Sequence, residues 1–108
     1  MNDVTKLLED ARSRIADPWN WTQLEFARDH RGLTCLNGSP EAVCWCARGS
    51  LYKSFVELHV TRGTYFSANH KLGEFANLLY GTTITRVNDF LGHEATLKMF
   101  DDAIAHSK

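Results

Sequence analysis

The chain has little of what marks a specialised sequence. Only two of its 108 residues are proline and seven are glycine, which excludes collagen-like repeats and proline-rich low-complexity chains. No apolar run approaches the roughly 18 residues that a membrane-crossing helix needs, so no membrane partner is expected. Neither sign of charge dominates: 12 Lys and Arg stand against 13 Asp and Glu, a net charge of -1. That balance excludes a protein that coats nucleic acid by bulk charge. The three cysteines are an odd number, which argues against a disulfide framework and for reduced thiols. The opening MNDVTKLLEDARSR is charged and amphipathic, without the apolar core of a secretory signal. The expectation is a cytoplasmic chain.

What is present suits folding. Hydrophobic residues make up 44% and charged residues 23%, close to the averages of globular proteins, so general disorder is excluded. A chain of this length accommodates one domain, residues 1–108, and not two.

Apolar spacing then points to helices. Val4, Leu7, Leu8, Ala11 and Ile15 form one helical stripe. Asn2 is its cap, and Pro18 bars its continuation. Residues 22–30 carry a capping-box pattern (Thr22, Glu25) and predict a short helix ended by Gly32. Ser39-Pro40-Glu41 is a strong helix-start signal, and Cys44, Ala47, Leu51, Phe55 and Leu58 follow at three- and four-residue steps. This predicts a central helix over residues 40–59 with Cys44 buried in it. The small residues Cys46, Gly49, Ser50 and Ser54 predict a face against which a neighbour packs closely. Ser67 caps a third predicted helix that buries Leu72, Phe75, Ala76 and Leu79 and ends at Gly81. Residues 59–71 and 82–92 read as connections, and a last helix over 93–106 buries Leu97, Phe100, Ala103 and Ile104. The expected fold is all-α, a single compact bundle of four or five helices with short connections.

Candidate chemistry is thin. Cys35, Cys44 and Cys46 lack the C-x2-C or i,i+4 spacing of a structural zinc site, so no metal or other cofactor is expected. A cysteine nucleophile needs a base and an orienting group. Cys46 with His93 and Asp89 is the set to weigh, His59 and His70 being further bases, but no short motif joins them. No catalytic residue is assigned.

Four pieces read together carry a resemblance: Trp21-Thr22-Gln23; Phe26-Ala27-Arg28-Asp29 with Gly32; the run from Glu41 to Ala47 with Gly49 and Leu51; and Ile84 with Asn88-Asp89. The chain resembles a family of small uncharacterised proteins of bacteria and their phages with WTQ-x-x-(F/Y)-ARD, CWCAxGAL and WND motifs. Ser50 stands where that pattern has alanine, and Val87 where it has tryptophan.

The binding candidates are accordingly Trp21, Arg28, Asp29, Asn88 and Asp89 from these motifs, and Arg62, Tyr65, His70 and Lys71 from the 59–71 stretch. That stretch interleaves basic and aromatic groups and contains no acid, and Phe66 is expected to tuck into the core ahead of Ser67. Asn88-Asp89 reads as a capping pair or a recognition point, and Arg28 and Asp29 as an internal ion pair or a partner contact. The functional expectation is a small non-catalytic binding protein that acts on a host or phage protein. By analogy with small phage proteins, its sharper form is an inhibitor of a host defence system of the CRISPR type. The alternatives are a small cysteine/histidine enzyme or ligand-binding domain, and a weak nucleic-acid-binding module. Partner identity and oligomeric state stay open.

Overall fold

The computed structural model describes residues 2–108. Asn2 accepts the Thr5 amide on its side-chain oxygen at 2.8 Å and starts α1 (Asp3–Arg14). The helix ends before Pro18, whose neighbour Asp17 caps a single 3-10 turn, Pro18–Asn20.

The segment that follows departs from its reading. Residues 22–30 form no helix; they pass through bends at 23–26 into β1 (Ala27–Arg28), which pairs antiparallel with β2 (Cys44–Trp45) in the register Ala27–Trp45 and Arg28–Cys44. The cause is local competition for backbone groups. The Arg28 guanidinium donates to the Thr22 hydroxyl and to the carbonyls of Gln23 and Gly32, and the Asp29 carboxylate accepts the amides of Arg31 and Leu33.

The predicted helix over 40–59 is likewise shortened. The Ser39 hydroxyl accepts the Glu41 amide to close a turn, Cys44 and Trp45 enter β2, and α2 (Ala47–Leu58) begins only after Cys46. Cys44 is therefore a half-buried strand residue, neither buried nor helical. The cap of α2 is Cys46, whose Sγ accepts the Gly49 amide at 3.3 Å. His59 ends the helix in left-handed conformation.

Residues 62–71 are helical as well. Thr61 caps α3 (Arg62–Tyr80), so Ser67 lies inside the helix, and only 59–61 connect it to α2. Phe66 is exposed, while Tyr65 turns inward onto Phe55 and Tyr52. Gly81 closes α3 in left-handed conformation, as its position predicts. The 82–92 connection is helical too. A single turn, α4 (Ile84–Arg86), runs into a π-helical turn, Val87–Leu91, before α5 (His93–Ser107).

The fold is an all-α bundle of five helices with one minute sheet. Its centre is α1, not the helix after Cys46: Leu7, Leu8, Ala11 and Ile15 are fully buried, and α1 packs against α2, α3 and α5. Ser50 and Ser54 are fully buried on α2, and Ser54 accepts a hydrogen bond from Arg14. The close approach at Gly49 is to the Phe26 backbone rather than to a helix. In α5 the fully buried residues are Thr96, Met99, Phe100 and Ala103, with Leu97 and Ile104 partly covered. Among the described residues no helix is long and apolar enough to cross a membrane.

Candidate functional site

The π-helical turn places Asn88 in the protein interior, only 1% exposed. A buried side-chain amide is stable only when its donors and acceptor are met, and here they are. Its oxygen accepts the Trp21 indole N–H at 2.7 Å and the Ala47 amide at 2.9 Å. Its nitrogen donates to the Thr22 carbonyl and to Asp89 Oδ1, both at 3.0 Å. Ala47 is the first residue of α2, so Asn88 satisfies an orphan amide of that helix from 41 residues away. Asn88 thus has a capping role, but for α2 and not for the helix that follows it in sequence.

The network extends outward from there. Gln23 Nε2 donates to the carbonyls of Asn88 and Asp89 at 3.2 and 3.1 Å. Asp89 Oδ1 accepts the Leu24 amide at 2.9 Å. Leu24 has φ of +71°, in the left-handed region, and its side chain is 69% exposed. Beside it Phe26 is half exposed, with the Arg48 guanidinium 5.9 Å from its ring centre. A small hollow of about 120 Å³ opens between Leu24, Phe26, Cys46, Arg48 and Asp89.

Nucleophilic chemistry in this hollow is poorly served. Burial pushes the Cys46 thiol above its ordinary pKa, although the amides of Gly49 and Arg48 work in the opposite direction. His93 is engaged elsewhere: its Nε2 lies 2.7 Å from the Ile15 carbonyl oxygen, and its ring rests 5.1 Å from that of Trp21. No group of three His, Cys, Asp or Glu side chains among the described residues is arranged to hold a metal ion.

Arg28 and Asp29 do not pair with one another. Asp29, buried, accepts from Arg31 and from two amides, while Arg28 bonds to Thr22 and to backbone carbonyls. The remaining candidates lie apart from this network on α3. Arg62 and His70 are exposed, Lys71 pairs with Glu74 at 3.1 Å, and Tyr65 is half-buried with its ring 4.8 Å from that of Phe55. Burial raises the pKa of the Tyr65 hydroxyl.

A family model matches residues 1–106. The chain belongs to the family of unknown function DUF6197. No curated protein and no solved structure matches it.

Sequence reasoning passed over three groups in this member of DUF6197: Leu24, the Cys46 cap and the Ala47 amide. An exposed leucine between Gln23 and Glu25 carries no sequence signal. Cysteine is a rare cap, and a backbone amide becomes visible only once its tertiary partner is known.

Proposed function

We propose that the chain is a non-catalytic binding module that acts by protein–protein contact, with the Leu24–Phe26 edge as its recognition face. Leu24 carries this reading. A left-handed leucine costs about 1–2 kcal/mol through crowding at Cβ, and a side chain 69% exposed recovers little of that by burial. The conformation is held from outside, by Asp89 on the Leu24 amide and by Asn88 beneath it. Strain maintained around an exposed apolar side chain fits an anchor presented to a partner. Leu36, 80% exposed, continues the apolar surface, and a second hollow links it to Phe26 and Cys35. The complementary partner is a host or phage protein with an apolar pocket for Leu24. A defence enzyme inhibited by occupation of such a pocket is the narrower form of the same reading. The raised Cys46 thiol and the engaged His93 favour binding over catalysis.

The test is Leu24→Gly. Glycine relieves the left-handed strain and costs about 0.5–1 kcal/mol of added chain entropy, so stability should be unchanged or higher. Quantitative affinity capture from host lysate should then lose the protein that the wild-type chain retains. Capture undiminished in the folded variant refutes this face. Assaying CRISPR interference in cells that express each variant separates the narrower form from the general one.

A further inference from the structure

Arg48 also borders a larger cleft, of about 730 Å³, that no part of the binding reading uses. Its walls are α3, through Asn69 and Asn77, and the chain from Gly81 to Arg86. Two arginines, Arg48 and Arg86, are among its lining residues, and no acidic residue is. The six ion pairs among the described residues include neither arginine. The acids that share a hollow with Arg48, Glu25 and Asp89, lie along the smaller cavity beside Leu24. The cleft itself thus carries two arginines, no acid and no ion pair among the described residues.

We infer that this cleft is an anion site for a phosphate-bearing small molecule, gripped by Arg48 and Arg86. Guanidinium groups offer paired N–H donors that match phosphate oxygens. The side-chain amides of Asn69 and Asn77 supply both donors and acceptors for the organic part of such a molecule. The volume falls within the ~300–1,000 Å³ typical of small-molecule sites and far exceeds one phosphate, so the cleft fits a ligand of mononucleotide size. The threonines of residues 82–85 add hydroxyl donors along the same wall.

The test is an NMR titration of the full chain with adenosine 5′-monophosphate, inorganic phosphate and adenosine in parallel. The monophosphate should shift the Asn69 and Asn77 side-chain amides and the backbone amides of residues 81–86, and adenosine should not. Tighter binding of the monophosphate than of phosphate assigns an organic phosphate. Equal binding assigns free phosphate as the source and keeps the anion site. Arg86→Gln should weaken binding by about tenfold or more, the usual loss for a charge-assisted contact. The variant should still capture the protein partner, because Arg86 is no part of the Leu24 face; the two readings therefore fail separately. Absence of shifts at millimolar monophosphate overturns the site. So does adenosine binding as tightly as its monophosphate, or unchanged affinity in both Arg86→Gln and Arg48→Gln.

Discussion

Replacing Asn88 by alanine removes one oxygen that serves two donors and one nitrogen that serves two acceptors. The Ala47 amide is the costliest loss, because Ala47 is fully buried and an unmet buried donor costs about 1–3 kcal/mol. The Trp21 indole N–H is part-buried and can regain water, so its share falls at the lower end of that range. With the freed Thr22 carbonyl and a cavity left by the amide, the total is about 3–5 kcal/mol. Against a domain stability of ~5–15 kcal/mol this is a large fraction, and it corresponds to a midpoint lowered by roughly 12–20 °C. Asn88→Asp separates acceptor from donor. It keeps the oxygen for Trp21 and Ala47 but turns a second acceptor toward the Thr22 carbonyl and the Asp89 carboxylate. The new carboxyl would then have a folded-state pKa above its unfolded value of about 3.9. Its penalty should be greatest at neutral pH and shrink as pH falls through that raised value. Urea unfolding at neutral and mildly acidic pH, followed by Trp fluorescence and circular dichroism, measures both variants. A loss under about 1 kcal/mol for Asn88→Ala, or a pH-independent loss for Asn88→Asp, would refute the network as described.

Three further outcomes are expected. Gly49→Ala sets two effects against each other: helix propensity favours alanine by about 1 kcal/mol, but a Cβ there would overlap the Phe26 carbonyl oxygen, which also accepts the Cys46 amide. Overlap with backbone should win by about 2 kcal/mol or more, and a stabilised variant in thermal melts would disprove the contact. At Asp29, burial raises the pKa, but the amides of Arg31 and Leu33 and the Arg31 guanidinium outweigh it and hold the carboxyl below its ordinary value. Its contribution is present above pH about 4 and lost as pH falls through the lowered value, so Asp29→Asn should flatten the acid limb of the stability profile. Cys46→Ser keeps a cap acceptor in a preferred residue type; it should retain stability and partner capture, whereas a nucleophilic role for the thiol would show as lost function.

How far the sequence discloses the fold depends on how local each signal is. Asn2 and its apolar stripe mark α1, Gly81 marks the end of α3, and α5 lies within a residue of its predicted bounds, because caps and periodicity act within a few residues. Residues 40–46 mislead for the opposite reason. Cys44 lies on a helical stripe with Ala47 and Leu51, yet Trp45 pairs with Ala27, and a pairing across that separation leaves no trace in local spacing. Ser39-Pro40-Glu41 is a true turn signal, used for a turn that is not followed by a helix. The stretch at 59–71 reads as a loop because Gly63 and its polar neighbours suggest a break, but the Thr61 cap and packing of Tyr65 on α2 residues carry the helix through them. Of the candidate site, Trp21, Gln23, Asn88 and Asp89 stand together in the sequence resemblance, and the fold joins them in one hydrogen-bonded network. Their reason for being joined, the Ala47 amide and the backbone of Leu24, is tertiary and has no sequence signature.

That network bears on what the surface above it does. Residues 22–46 contain no helix and only two two-residue strands, tied by further backbone bonds such as those from the Cys35 amide to Ala27, the Val43 amide to Arg28 and the Cys46 amide to Phe26. Side chains add to these: Arg28, Asp29, Asn88 and Asp89 each bond to backbone groups of the segment or of its immediate support. Of the set weighed for catalysis only Asp89 is among them, and both of its side-chain bonds fall on Oδ1. The exposed residues of the segment include the apolar Leu24, Phe26, Leu33, Leu36 and Val43 beside the polar His30, Arg31, Thr34 and Glu41. An edge of irregular backbone, shaped by buried polar bonds and left-handed at the exposed Leu24, supports the recognition face proposed above. On that proposal, preorganisation of the edge would lower the entropy lost on docking, a reason for the buried network that packing alone does not supply.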